Sequence, residues 1–241
     1  MNDSVQTVAV FGANGPTGQL LTSQLLEVGH AVIAVTRHPD NFPLTASGLT
    51  VVRADATNPG QVALAIRGSQ AVVSVLGTKY SKEPITLYSD SACTIIDAMR
   101  TQGIRRIIVT SSMAAVDWPD PHLSWFERVL VRRVLSRIGA TLYQDMRRME
   151  GIVSASELDW TIMRPLGLAS MDPPTEYAIA GDHIAGKQTA RRDLAAAIAD
   201  QVDRTDYLRT AVAVATINKT VSVAATIWRE GIKPKLRPNG N

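Results

Sequence analysis

Val8-Ala9-Val10-Phe11-Gly12-Ala13-Asn14-Gly15-Pro16-Thr17-Gly18, followed by Gln19-Leu20-Leu21, reads as a strand, a tight turn and the opening of a helix. The three glycines have the spacing GxxGxxG, and each has a physical job. Gly12 permits the sharp exit from the strand, Gly15 lets backbone approach a pyrophosphate, and Gly18 lets the helix pack closely on the sheet. Pro16 is tolerated because a first-turn residue needs no internal N–H bond. A helix start also presents free N–H groups and the positive end of a dipole to phosphates. Gly12, Asn14, Gly15, Pro16, Thr17 and Gly18 are therefore candidate dinucleotide contacts. The plain alternative is an ordinary glycine-rich turn, which the flanking strand and helix argue against. No lysine follows the last glycine, so a P-loop is excluded.

Outward from this turn, short β-branched runs alternate with longer helical patterns. The helix predicted from Gly15 to Val28 carries Leu20, Leu21, Leu25 and Leu26 on one face and stops at Gly29. Strands are expected at Ala31 to Thr36, Thr50 to Val52, Ala71 to Val75, Arg106 to Thr110 and Trp160 to Met163. Helices are expected at Val62 to Arg67, Tyr88 to Thr101 and Arg191 to Val202. Such alternation implies a parallel sheet with helices on both faces. Right-handed crossovers then make it doubly wound, a Rossmann-type α/β fold with ligands beyond the carboxyl ends of the strands. The pattern weakens after Ala180. Residues 206–225 read equally as strand or helix, and the basic, proline-containing tail from Lys233 as loose chain.

The 241 residues are 45% hydrophobic and 5% aromatic, so aliphatic side chains must fill most of one domain-sized core. The formal net charge of +3 calls for no nucleic-acid partner, although phosphate-bearing ligands suit it. Cys93 can form no internal disulfide and is expected to be a small buried apolar residue. The start has no signal-peptide pattern and no run reaches membrane-spanning length, so a cytoplasmic location is expected. No His/Cys/Asp cluster has metal-ligand spacing, and no metal is expected.

The second strand ends in Thr36-Arg37-His38. An acid there would bind a ribose 2′-hydroxyl, as in NAD sites; an arginine suits the 2′-phosphate of NADP. Arg37 favours NADP(H), with NAD(H) possible because Asp40 stands near enough to accept a ribose hydroxyl instead.

Val10-Phe11-Gly12-Ala13-Asn14-Gly15-Pro16-Thr17-Gly18 also resembles the opening of the atypical short-chain dehydrogenase/reductases, in particular the NAD(P)H-binding group with the flavin/biliverdin reductases and NmrA-like proteins. Further matches recur in order. Ala54-Asp55-Ala56-Thr57 resembles the motif whose Asp and its neighbour, here Asp55 and Ala56, contact adenine. Val75-Leu76-Gly77-Thr78 resembles the turn beside the cofactor's ribose. Ile107-Ile108-Val109-Thr110-Ser111-Ser112 resembles the strand with its serine pair, and Asp159-Trp160-Thr161-Ile162-Met163-Arg164-Pro165 the strand after which Pro165 and Leu166 pass the nicotinamide. The likeness spans roughly residues 7–200 and is specific for the family, not for a reaction.

Short-chain dehydrogenases commonly reduce a carbonyl with a serine, a tyrosine and a lysine one turn after the tyrosine. By this resemblance Tyr143 would protonate the substrate, Ser111 or Ser112 would supply the third group, and Arg147 would stand where lysine is expected and hold the ribose. Tyr143 and Arg147 are i and i+4, on one helix face. A guanidinium is cationic but offers different donor geometry. The competing reading has the Tyr143 ring in the core, with Arg147 and Arg148 merely solvated.

Leu123, Phe126, Leu130, Val134 and Ile138 form an apolar stripe at helical spacing, with Arg128, Arg132, Arg133 and Arg137 largely off it. A helix packed on the sheet, a substrate lid with Trp125 and Phe126 inward, and a contact helix for a partner or membrane surface all fit. The whole chain is expected to be one Rossmann-type domain, covered over the substrate by about 115–140 and 165–190. The expected function is an NADPH-dependent reductase of a small aromatic or conjugated substrate, as a monomer or weak homodimer. The alternatives are an NmrA-like dinucleotide-sensing regulator and an isomerase or epimerase using bound cofactor.

Overall fold

A computed structural model describes residues 5–116, 139–171, 176–181, 184, 186 and 188–217. The Trp118–Ile138 stretch, His122, His183 and the tail from Lys233 lie outside the described residues.

The elements follow the alternation in the sequence. They are β1 (Thr7–Phe11), α1 (Pro16–Glu27), β2 (Ala31–Thr36), β3 (Leu49–Arg53), α2 (Pro59–Ala65), β4 (Ala71–Ser74), α3 (Leu87–Gln102), β5 (Arg106–Thr110), α4 (Ala140–Ser154), β6 (Asp159–Pro165), β7 (Gly167–Ala169), β8 (Tyr177–Ala180), β9 (Gln188–Ala190), α5 (Arg191–Asp203) and β10 (Thr210–Thr216). A 3₁₀ turn at Met113–Ala115 follows β5, and another at Pro39–Asn41 follows β2. Eight strands form the main sheet in the order β3-β2-β1-β4-β5-β6-β10-β8, and β7 pairs with β9 separately. All main-sheet pairings are parallel except β10 with β8. This is the doubly wound Rossmann-type sheet.

Strand side chains alternate between two cores. On one face Val8, Val10 and Val32 pack with Leu21 and Leu25 of α1 and Leu194 and Ile198 of α5. On the other Ala9, Phe11, Val72 and Ile107 pack with Ile95 and Met99 of α3 and Met149 and Val153 of α4. Leu20 and Leu26 are partly buried against the first core, which completes the expected leucine face.

Two expectations need amendment. Cys93 is exposed, not buried. On α3 its 3.6-residue neighbours are Asp97 and Arg100, both exposed, while Ala92, Ile95, Ile96 and Met99 face inward. The ambiguous stretch after 206 contains β10, Thr-Ala-Val-Ala-Val-Ala-Thr. Alanine favours helix and valine strand, so local preference cancels. Pairing with both β6 and β8, and burial of Val212 to Ala215, settle it as a strand.

The order of strand addition reverses between β1 and β4, where β1 leads through α1 to β2 on one side and β4 leads through α3 to β5 on the other. Side-chain chemistry at the carboxyl ends beside this switch point is the natural place for a ligand. No helix among the described residues is long and apolar enough to cross a membrane.

Candidate functional site

The glycine turn is built as tightly as its spacing suggests. Gly12 has φ +80°, and a Cβ there would lie 2.7 Å from the Val75 carbonyl oxygen at the exit of β4. A Cβ on Gly18 would lie 2.2 Å from the Gly12 carbonyl oxygen. Gly15 donates its N–H to that same oxygen at 2.9 Å and caps α1 through its backbone. The first turn of α1 has no side-chain cap and no acidic residue. Its N–H groups are thus left for an anion. Gln19 donates its amide to the Asn14 carbonyl at 2.9 Å and so braces the turn from inside the helix.

Arg37 is exposed at the end of β2 and makes no ion pair among the described residues. Asp40, its rival in the sequence, is taken by Arg53 at 2.9 Å. Asp55 follows β3. Its carboxylate accepts from the Thr57 N–H at 2.9 Å and the Thr57 hydroxyl at 2.8 Å. These two bonds, with a smaller push from the Arg37 charge, hold Asp55 below the usual carboxylate range. Arg37 and Asp55 therefore sit within electrostatic reach of each other at neighbouring strand ends. Ala56 is buried beside Asp55, whereas Gly77 and Thr78 are exposed after β4, Leu76 being partly buried.

After β5 the serine pair divides its work. Ser112 accepts from the Ala114 N–H at 3.1 Å and caps the 3₁₀ turn. The Ser111 hydroxyl is buried, 3% exposed, and has no hydrogen-bond partner among the described residues. A buried hydroxyl without a partner costs stability. One placed at the carboxyl end of a central strand suits a bound molecule. At the end of β6, Leu166 donates its N–H to the Thr189 hydroxyl at 2.9 Å, tying the chain after Pro165 to β9.

Helix α4 brings Tyr143 and Arg147 to one face but not to each other's polar atoms. The Arg147 guanidinium donates to the Ala115 carbonyl at 2.9 Å. The Tyr143 hydroxyl lies 3.1 Å from that of Tyr80, with the two rings edge-to-face at 6.4 Å. Burial, then the neighbouring Tyr80 and Tyr88, pushes the Tyr143 hydroxyl well above the ordinary tyrosine range. Burial likewise pushes Tyr88 up to about 12.

Raised values mean that the folded protein favours the neutral phenols. That stabilisation is fully present below their ordinary value near 10 and is lost as pH rises through the folded values. Urea midpoints should therefore fall steadily between about pH 10 and about pH 12, and less steeply in Tyr88→Phe. Identical slopes in the two proteins would refute the assignment.

The family model described as NAD(P)H-binding matches residues 12–205. The chain belongs to this NAD(P)H-binding family. A chloroplastic uncharacterized protein of Arabidopsis thaliana is 31% identical over 185 residues, 72% of this chain and 63% of that one. Dihydroflavonol 4-reductase of Zea mays is 32% identical over 150 residues, 53% of this chain and 42% of that one. The chain thus spans less than two thirds of either relative. A short-chain dehydrogenase/reductase of Veillonella parvula, solved in complex with NADP, has the same fold. Its TM-score is 0.74 at 21% identity, covering 89% of this chain and 96% of that one.

A dinucleotide of the NAD(P)H-binding family fits what this chain presents, namely an uncapped helix start, a turn closed against side chains and an orphaned buried hydroxyl. Three features of the surroundings escaped sequence reading. Tyr80 meets Tyr143 from 63 positions away, so no local pattern marks it. Arg164 forms a two-pronged ion pair with Glu150, at 3.0 and 2.6 Å, that locks α4 to the end of β6. Asp145 is wholly buried. Its place beside Leu142 and Met149 on the apolar face of α4 was a legible signal, since a carboxylate there must find partners.

Proposed function

We propose that the protein is an NADPH-dependent reductase that delivers hydride to a small aromatic or conjugated substrate. The observation that carries the cofactor choice is the contrast at the end of β2, with Arg37 free of ion pairs among the described residues and Asp40 held by Arg53. The glycine turn would take the pyrophosphate, Arg37 the 2′-phosphate, Asp55 and Ala56 the adenine side, and Leu76, Gly77 and Thr78 the ribose. Pro165 and Leu166 would pass the nicotinamide. The bound NADPH supplies the hydride, and the protein supplies position and hydrogen bonds. Ser111 would hold the substrate oxygen with its unpartnered hydroxyl, and Tyr143 would protonate it. The name of the maize relative, dihydroflavonol 4-reductase, supports the reductase reading.

Fluorescence titration with NADPH and NADH tests the cofactor assignment. A charge-assisted contact is worth about 1.5–3 kcal/mol, so Arg37→Ala should bind NADPH about 10- to 150-fold more weakly while NADH binding changes little. Equal NADPH affinity in mutant and wild type would remove Arg37 from the site. The reductase reading itself fails if the purified protein oxidises no NADPH with quinones, flavins or enones. One observation favours a second reading. Arg147 is engaged by the Ala115 carbonyl, so the ordinary cation beside the tyrosine is lacking among the described residues, as suits a dinucleotide sensor. Tight NADPH binding without turnover would support that sensor.

A further inference from the structure

Tyr143 poses a chemical difficulty for the reductase reading. A tyrosine that gives up its proton becomes a phenolate. In the short-chain dehydrogenase pattern a nearby lysine stabilises that anion. Here the Tyr143 side chain is packed against the core, and the cation one turn later, Arg147, donates to the Ala115 carbonyl. Among the described residues, the groups facing the Tyr143 hydroxyl are two further phenols, Tyr80 and Tyr88, and neither is a cation. A free-standing phenolate at this position would be costly.

The same surroundings contain a way around the difficulty. Tyr80 lies in the loop between β4 and α3, just after Gly77 and Thr78. Its hydroxyl is 3.1 Å from that of Tyr143, and either can donate to the other. Tyr80 is 51% exposed, so it touches bulk water while Tyr143 does not need to. The adjoining backbone is pinned as well, because the Thr141 hydroxyl of α4 donates to the Ser81 carbonyl at 2.9 Å. Two tethers thus hold the loop against the first turn of α4, and the hydroxyl contact is one of them.

We propose that Tyr80 and Tyr143 form a two-phenol proton relay that replaces the missing lysine, with Tyr80 acting through Tyr143. The proposal rests on the reductase reading above. In the step, hydride leaves C4 of NADPH with two electrons and forms a C–H bond at the carbonyl carbon of the substrate, giving NADP⁺. The substrate oxygen takes the Tyr143 proton. Tyr143 takes the Tyr80 proton in the same event, and Tyr80 is reprotonated by water. The sum is carbonyl, NADPH and one solvent proton giving alcohol and NADP⁺, with no phenolate left standing in the core.

The test compares two hydride acceptors, with NADPH oxidation followed for each. Reduction of 4-nitrobenzaldehyde needs a proton at oxygen. Reduction of 10-methylacridinium takes hydride alone and gives a neutral product. Positioned proton donors contribute about 10²–10⁴-fold. Relative to wild type, Tyr80→Phe should lower the ratio of aldehyde to acridinium turnover about 10-fold, and Tyr143→Phe about 100-fold. The double variant should be no worse than Tyr143→Phe, because Tyr80 has no route except through Tyr143. The solvent deuterium isotope effect on aldehyde reduction should shrink in Tyr80→Phe, which a merely structural role would not cause. Aldehyde reduction whose ratio and isotope effect are the same in Tyr80→Phe as in wild type overturns the relay and leaves the reductase standing. So does acridinium reduction by a wild type that leaves the aldehyde untouched. A wild type that oxidises NADPH with neither acceptor overturns the reductase reading and the relay with it.

Discussion

Gly18→Ala is expected to weaken NADPH binding by about 100-fold and to cost about 2–3 kcal/mol of folding stability. The new methyl would sit 2.2 Å from the Gly12 carbonyl oxygen and 2.7 Å from Ala13 Cα. All of its nearest neighbours are backbone, so no rotamer change relieves the clash. Either the turn moves away from α1 or α1 moves off the sheet. A shift of the turn drags Gly12, which is itself pressed against the Val75 carbonyl. The turn's N–H groups then no longer converge on one point, and misplacements of about 1 Å can cost about 100-fold in a positioned interaction. Gly151→Ala is the informative partner. Gly151 lies inside α4 with nothing within 4 Å of its would-be Cβ. The same chemical change there should stabilise the protein by about 0.5–1 kcal/mol. Urea denaturation of both variants, with NADPH titration of the first, measures the contrast. Wild-type affinity in Gly18→Ala would show that the turn does not hold the cofactor.

Asp145→Ala should destabilise the protein by about 3–5 kcal/mol, the cost of breaking a buried charged network. The Asp145 carboxylate is 0% exposed. It accepts from the Tyr88 N–H at 2.8 Å and from the Ser89 hydroxyl at 2.5 Å. Arg148 pairs with it at 3.0 Å and reaches on to the Ile85 carbonyl at 2.7 Å. Thr86, the residue that should cap α3, makes no side-chain cap bond. A side chain of α4 thus caps the N-terminus of α3, where a negative charge also complements the dipole. Alanine would leave the Tyr88 N–H buried without a partner, the Ser89 hydroxyl with only the Thr86 carbonyl at 3.2 Å, and Arg148 without its counter-charge. Asp145→Asn keeps an acceptor in place and should lose about 1–2 kcal/mol. A loss below about 1 kcal/mol in Asp145→Ala would mean that water replaces the carboxylate, and the interhelix cap would not be the device described. The same network anchors the end of the loop that carries Gly77, Thr78 and Tyr80, so a weakened cap should also loosen the candidate site.

Residue pattern alone identified the doubly wound sheet, because a parallel strand buried on both faces and a helix buried on one leave different periodicities, and the Ile107-Ile108-Val109 and Leu20 to Leu26 runs display them. The glycine turn was equally plain, since tight backbone packing can be met there only by the residue without a side chain. Arg37 was legible as an arginine at a strand end, but the ion pair of its neighbour Asp40 with Arg53, on the adjacent strand, was not. Chain-distant contacts decided the rest. β10 is a strand because β6 and β8 flank it, whereas its own alanines and valines pull in opposite directions. Cys93 faces solvent because the register of α3 turns Ala92 and Ile96 inward instead. Arg147 has the spacing of a catalytic cation, yet its direction depends on where the Ala115 carbonyl lies. Tyr80 acquires a meaning only when the loop after β4 folds against α4. Periodicity reports which face of an element is buried; it says nothing about which polar atom from across the fold will meet a side chain there, and that meeting determines the chemistry proposed for this protein.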